Sequence, residues 1–441
     1  MKTVIIGGDA AGMSAAAKLR RLNKTAEIRV YEKGSYLSYS SCGLPYSAAY
    51  EDRSIDRLIQ RTPADFEASE IYPKLRHEVL KVNPGDKTVL VKNLDTGDEF
   101  FDTYDNLLIA TGARPVIPEI PGIGLENVLR LKTIDDGIKL KSVLPGVNSV
   151  LIAGGGYIGV EVAETLTSVG KKVTIIQRPD RLLKNFDLEI SAIALKELER
   201  LGAEIKLSEQ LTQIRHAGTS LEVQTDKGAY KADLVLLALG VRPATEFLDG
   251  SGIELAKNGA VIVDREMRTN VPDIYAAGDC AEIYHMVLKR NVYIPLATTA
   301  NKAGRMVASN LNGGHVKFPG TLGCAAVKVG EKELARAGLS EAEAVSYGFD
   351  AKPVVVEANS VPHYYPGSEK ITIKLIYERE SKRILGAQAA GPKGTVLRIN
   401  IFAAAIANGM TTEGLGMLDL CYAPPFSTVW DAVHVAANAA K

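Results

Sequence analysis

Val4-Ile5-Ile6-Gly7-Gly8-Asp9-Ala10-Ala11-Gly12 opens the chain, and Leu151-Ile152-Ala153-Gly154-Gly155-Gly156-Tyr157-Ile158-Gly159 repeats its grammar farther along. Each stretch predicts a buried strand, a glycine-rich turn and then a helix. In the first, the strand covers Thr3 to Ile6, and the helix covers Met13 to Leu22 and ends on Arg20 and Arg21. A second strand, Ile28 to Tyr31, runs into Glu32 and Lys33. Glycines at such a turn let the backbone approach a pyrophosphate, and the helix N-terminus supplies amide donors. An acid about 20 residues past the last glycine accepts a ribose hydroxyl. Gly7, Gly8, Ala11, Gly12, Glu32 and Lys33 are therefore candidate cofactor contacts, although Asp9 stands where the middle glycine of the fingerprint falls.

The second unit is complete. A strand over Asn148 to Ala153 leads to Gly154, Gly156, Tyr157, Ile158 and Gly159, then to a helix over Val160 to Val169 and a strand over Lys172 to Ile176. Gln177-Arg178 replace the acid of an NAD-preferring site, and Arg178 suits a 2′-phosphate, so NADPH is expected beside NADH. Two such units in one chain predict two dinucleotides. Further strand ends close on Ala110-Thr111-Gly112, on Gly240 and on Gly278-Asp279, where Asp279 is placed to hold a polyol; Ala297 joins the cofactor set.

The chain's 441 residues exceed one ordinary core, and 52 basic residues balance 52 acidic ones. No nucleic-acid or membrane partner is expected from that balance, from the short first apolar run or from the lack of a long apolar stretch. The four cysteines, Cys42, Cys280, Cys324 and Cys421, form no Cys-x-x-Cys pair, so neither a metal site nor a disulfide scaffold is expected. Their sparse use fits a reducing, cytoplasmic setting.

The order of these motifs resembles the pyridine nucleotide-disulfide oxidoreductases over essentially the whole chain. The resemblance implies an α/β fold with two Rossmann-like dinucleotide-binding domains and a C-terminal α/β dimerisation domain. It places an FAD domain at 1–115 and 244–315, an inserted NAD(P)H domain at 116–243 and the dimerisation domain at 316–441.

Ser38-Tyr39-Ser40-Ser41-Cys42-Gly43-Leu44-Pro45-Tyr46 is the segment that bears the chemistry. Relatives with a redox disulfide carry a second cysteine where this chain has Ser47, so Cys42 works alone. Pro45 suits the first turn of a helix, and a thiolate at a helix N-terminus is expected to have a lowered pKa. Peroxide- and oxygen-reducing members of the family place a histidine at the position of Ala10. None of the histidines (His77, His216, His285, His315, His363, His434) lies in that turn.

The chain looks instead like the coenzyme A-disulfide reductases. It carries His363-Tyr364-Tyr365-Pro366-Gly367-Ser368 and Tyr422-Ala423-Pro424-Pro425-Phe426-Ser427, followed by Val429-Trp430-Asp431. That resemblance implies a homodimer in which Tyr364 and Tyr422 reach across to the partner's redox cysteine. It also implies Cys42 in a mixed disulfide with coenzyme A, reduced by NADPH or NADH by way of FAD. Ser14, Lys18, Arg21, Ser38, Ser41, Asn301 and Trp430 match ligand-contacting positions, and Arg20, Arg61, Lys302 and Arg305 are further candidates for its phosphates. Glu70 departs from the lysine of some relatives. The substrate class is a small thiol or disulfide: CoA disulfide, CoA persulfide or polysulfide. The chain runs to Lys441, shortly past the Val-Trp-Asp segment, so no C-terminal sulfurtransferase domain is expected. The alternatives are an NADH oxidase, an NAD(P)H-dependent sulfur or polysulfide reductase and, outside enzymes, a redox sensor.

Overall fold

Strand Lys2–Ile6 lies at the centre of a five-stranded parallel sheet ordered Ile274–Ala276, Asn106–Ile109, Lys2–Ile6, Glu27–Tyr31, Ile71–Lys74. The computed structural model describes residues 1–441 throughout. Covered on both faces, the central strand is apolar at every position from Val4 to Ile6, and Val4 and Ile5 have no exposed surface. The helix Ala10–Leu22 follows it directly and packs on the helix Ala297–Leu311. Gly304 makes that approach possible, because a side chain there would overlap the Ala11 carbonyl.

The sheet is completed from far along the chain. Its Ile274–Ala276 strand arrives only after a second five-stranded parallel sheet, ordered Glu204–Leu207, Lys172–Gln177, Ser149–Ala153, Leu234–Leu237, Val128–Arg130. The chain crosses from the first unit to the second at Ala113–Pro115 and returns at Val241–Pro243, and these two short strands pair antiparallel. Each parallel sheet has a three-stranded antiparallel companion, His77–Asn83 with Thr88–Asn93 and Glu99–Thr103, and Leu211–Ala217 with Ser220–Thr225 and Ala229–Ala232.

The last unit is a five-stranded antiparallel sheet, ordered Ala325–Val329, Lys332–Gly338, Ile384–Gly391, Lys370–Glu378, Ala351–Asn359. The helix Thr395–Ala407 packs on it, and Ala432–Asn438 lies against its last two strands. The architecture is α/β throughout. No helix is long and apolar enough to cross a membrane.

Candidate active site

The first glycine turn is shaped by one backbone requirement. Gly7 has φ +108°, and a side chain there would strike the Ala110 carbonyl at the end of the neighbouring strand. Glu32 folds back beneath the turn, accepting the amides of Gly8 and Gly34, each at 2.7 Å. Its burial pushes its carboxyl up in spite of those donors. Asp279 is half-buried, and withdrawal of water raises its carboxyl, with Lys132 3.8 Å away. Beside Asp279 the Tyr293 hydroxyl is buried without a hydrogen-bond partner. An acid under a glycine turn, a second, half-buried acid and an orphaned phenol make a cradle that fits the pyrophosphate, ribose and polyol of FAD. Thr111 closes this edge by donating to Ala244 O at 2.7 Å, while Lys33 is drawn outward to Glu78 at 2.6 Å.

The second turn repeats the geometry with neutral chemistry. Gln177 Oε1 accepts the Gly155 amide at 2.9 Å, and its Nε2 donates to Arg181 O at 3.0 Å. Arg178 is exposed and forms no ion pair. Tyr157 opens the helix Tyr157–Ser168, and its ring meets Phe186 edge-on at 6.2 Å. Burial pushes its phenol up, and the hydroxyl has no hydrogen-bond partner.

Cys42 lies in the 3₁₀ turn Ser41–Gly43, ahead of the five-residue helix Leu44–Ala48, with Pro45 in that helix's first turn. Its pKa is raised. Withdrawal of water by the surrounding protein is the larger cause and the charge of Glu161 the next, while Lys132 and a hydrogen bond with Ser41 oppose them. The expected lowering is thus reversed. The helix that follows has only five residues, and burial, with the Glu161 charge second, drives the thiol upward. Glu161 stands on the helix Tyr157–Ser168, accepts the Tyr46 hydroxyl at 3.1 Å and is itself pushed up to about 7, mainly by burial. It couples the cysteine turn to the second nucleotide unit. Sequence reasoning passed over Glu161 and Lys132. The available signal for Glu161 was an acid in an otherwise apolar helix immediately after a glycine turn; Lys132 had none.

Cys42 opens onto a cavity of about 400 Å³ lined by Ser14, Arg21, Ser38, Ser41, Arg61, Ala297, Asn301 and Arg305 among the expected residues. Asp9, Met13, Tyr39, Ser40, Gln60 and Phe66 complete much of the wall. Ser14 donates to Asn301 Oδ1 at 2.6 Å and ties two helices across the floor. Asp9 accepts the Tyr39 amide at 3.2 Å, and burial raises its carboxyl to about 6. Arg21, Arg61 and Arg305 reach the wall without any carboxylate partner. Such guanidiniums make an anion site.

Several expected ligand contacts lie elsewhere. Arg20 turns into the fold and donates to the carbonyls of Lys24 at 2.6 Å, Ala26 at 2.7 Å and Glu70 at 2.6 Å, with the Glu70 carboxylate 3.8 Å away. A buried arginine so engaged is a helix-end clamp. Lys18 and Lys302 do not line the cavity, and neither does Trp430, whose ring meets His434 edge-on at 5.8 Å. Tyr364 and Tyr422 are 64% and 45% exposed on the C-terminal unit, outside this chain's own cavity. They adjoin each other, and Tyr422 pushes the Tyr364 phenol up.

Two dinucleotide cradles joined by a cysteine turn define a flavin- and nicotinamide-dependent oxidoreductase. Residues 1–304 match the pyridine nucleotide-disulphide oxidoreductase family and residues 324–433 match its dimerisation domain, so the chain belongs to that family. It is 37% identical to an NAD(P)H coenzyme A polysulfide/persulfide reductase of Pyrococcus horikoshii, over 100% of this chain and 98% of the relative. It is 30% identical to a coenzyme A disulfide reductase of Staphylococcus aureus, over 100% of both. An engineered water-forming NADPH oxidase bound to NADPH superposes with a TM-score of 0.97 at 31% identity, covering 100% of this chain and 98% of the other. Its engineered substitutions include aspartate to alanine and, at the next position, alanine to arginine.

Proposed function

We propose that this protein reduces coenzyme A disulfides, or the related persulfides and polysulfides, with NAD(P)H through Cys42. In this reading residues 1–115 with 244–315 hold FAD, 116–243 hold NAD(P)H and 316–441 form the homodimer contact, in a reducing cytoplasmic setting. The observation that carries it is the cavity shared by Cys42 and the unpaired Arg21, Arg61 and Arg305. A lone reactive sulfur beside three free guanidiniums suits a small thiol with several phosphate charges. Relatives named for coenzyme A disulfide and persulfide reduction support the choice of thiol.

The Cys42 thiolate attacks one sulfur of the disulfide. A Cys42–CoA disulfide forms and one CoA thiolate leaves with a proton. Two electrons from NAD(P)H then cleave that bond and return Cys42 as thiolate with the second thiol. One disulfide, one NAD(P)H and one proton thus give two thiols and NAD(P)⁺. When bound, FAD supplies the two-electron relay between nicotinamide and sulfur. Glu32 and Asp279 would hold its ribose and polyol, with the amides of Ala11 and Gly12 toward its pyrophosphate. Tyr364 and Tyr422 of the partner subunit would donate protons to the leaving thiolate. Arg178 would hold the 2′-phosphate of NADPH.

Intact mass of the purified holoenzyme, with and without reductant, tests this reading. It is paired with NADH and NADPH turnover on CoA disulfide, polysulfide, oxygen and peroxide. A CoA-sized adduct on Cys42 and fast disulfide turnover are expected. No adduct together with fast oxygen or peroxide turnover would leave an oxidase or peroxidase instead.

A further inference from the structure

The two exposed tyrosine loops are rooted on one buried guanidinium. The Tyr364 loop leaves the strand Ala351–Asn359 at Ser360 and re-enters the sheet at Lys370; the Tyr422 loop ends at Asp431, the cap of the helix Ala432–Asn438. Arg398, on the helix Thr395–Ala407, lies between them with its side chain 9% exposed. Its Nη2 donates to Ser360 O at 2.9 Å and to Phe426 O at 3.2 Å, one carbonyl from each loop. Its Nε donates to Asp431 Oδ2 at 2.9 Å, and Nη2 meets the same oxygen at 2.8 Å.

Asp431 is fixed in turn. Its Oδ1 accepts the Val433 amide at 2.9 Å, and its own amide donates to His434 Nδ1 at 3.2 Å. That assigns the imidazole proton to Nε2, which donates to Leu418 O at 2.7 Å at the start of the same loop. The Tyr422 loop is therefore held at Leu418, Phe426 and Asp431, and the guanidinium that holds two of these points also holds the Tyr364 loop. A lysine at this position has the charge but not the planar fork, so it cannot serve the carboxylate and both carbonyls in this geometry.

We infer that Arg398, locked by Asp431, is the positioning residue that sets Tyr364 and Tyr422 as a pair, and through them controls protonation of the departing thiol. The inference rests on the function proposed above. It assigns Arg398 no contact with the substrate. Ångström-scale misplacement of a proton donor can cost about 100-fold in rate.

The test is rapid mixing of the FAD-loaded dimer, following flavin reduction by NADPH and its reoxidation by CoA disulfide separately across pH. The variants are Arg398→Lys, Asp431→Asn, Tyr364→Phe, Tyr422→Phe, the double variant Tyr364→Phe/Tyr422→Phe and the triple variant that adds Arg398→Lys to it. Arg398→Lys is expected to slow reoxidation about tenfold to 100-fold, to leave reduction by NADPH unchanged, and to flatten the pH dependence of reoxidation as Tyr422→Phe does. The triple variant should be no slower than the Tyr364→Phe/Tyr422→Phe double variant, because both groups through which Arg398 acts are then already gone. Independent, multiplying effects, or a reoxidation rate within about twofold of wild type, would overturn the inference. Should Arg398→Lys fail to fold, Asp431→Asn, which keeps an acceptor and a helix cap, decides by the same readouts. If both single tyrosine variants reoxidise at the wild-type rate, the functional reading itself falls.

Discussion

Gln177 accepts the Gly155 amide at 2.9 Å, occupying in the second nucleotide unit the place that Glu32 takes under Gly8 in the first. The contact survives while the negative charge does not. A carboxylate there would bond ribose hydroxyls and repel a 2′-phosphate; an amide side chain does neither strongly. The exposed Arg178 next to it is free to pair with that phosphate. Arg178→Ala should therefore raise KM for NADPH by about tenfold to 100-fold, the worth of one charged hydrogen-bonding contact. KM for NADH should move little. Gln177→Asp should shift preference toward NADH by like-charge repulsion. Steady-state kcat/KM with both nucleotides checks each, and an equal loss for NADH and NADPH would refute the assignment.

Glu161 opposes the Cys42 thiolate, so removing its charge should make the thiol more acidic. In the reduced holoenzyme, the pH midpoint for alkylation of Cys42 by iodoacetamide should fall in Glu161→Gln relative to wild type. The same carboxyl also sets a stability trend. Its folded pKa, about 7 against an ordinary 4.5, means the fold favours the protonated acid. That advantage is complete below the unfolded value and is lost as pH rises to about 7, a span worth about 3 kcal/mol at most. Glu161→Gln should thus gain stability over wild type as pH rises from 4.5 to 7 and hold a constant margin above that range. Urea midpoints across that range measure it.

Much of this was legible from local pattern. The runs Val4–Ile6 and Leu151–Ala153 declare buried parallel strands, and the glycines after them leave little alternative to a tight turn before a helix. The predicted strand over Lys172 to Ile176 is observed as Lys172–Gln177, and the predicted helix over Met13 to Leu22 begins earlier, at Ala10. The antiparallel companion sheets went unread, because strands such as Glu99–Thr103 have little burial and depend on their neighbours for pairing. Side-chain direction was the other loss. Arg20 and Arg21 are adjacent in a basic helix end, yet one turns inward to carbonyls and the other lines the cavity. Helical phase, rather than residue type, separates them. The charge acting on Cys42 comes from Glu161, far away in sequence, and no local pattern reports such a meeting.

The same contrast gives a paired experiment on the ligand. Arg61→Ala or Arg305→Ala should each raise KM for CoA disulfide about tenfold to 100-fold, the roughly 1.5 to 3 kcal/mol of a charged hydrogen bond. The effect should weaken at high salt. Arg20→Ala should leave KM nearly unchanged and lower stability, because it strips donors from the carbonyls of Lys24, Ala26 and Glu70. Kinetics and a urea midpoint on the same preparations distinguish the roles. A KM effect from Arg20→Ala as large as that from Arg61→Ala would show that the buried arginine serves the ligand after all.

Lys374 joins the inserted nucleotide unit to the C-terminal sheet, with its side chain 3% exposed. Its Nζ lies 2.7 Å from Glu341, 2.9 Å from Glu189 and 3.5 Å from Asp187. Asp187 is further held by Gln388, which donates to it at 2.8 Å and accepts its amide at 2.7 Å. Lys374→Met fills similar volume but leaves three acids facing one another. A fully buried pair broken in this way costs about 3 to 5 kcal/mol; Glu189 and Glu341 are partly exposed and can hydrate, so about 2 kcal/mol is expected. Lys374 lowers the Glu189 carboxyl and is itself raised by its acid partners. A depressed carboxyl contributes stability above its ordinary pKa and loses it as pH falls through the folded value. The gap in urea midpoint between wild type and Lys374→Met should therefore be widest near neutrality and close as pH falls below the ordinary carboxylate range. A gap that stays constant into acid would mean that lost packing, rather than lost charge pairing, accounts for the cost.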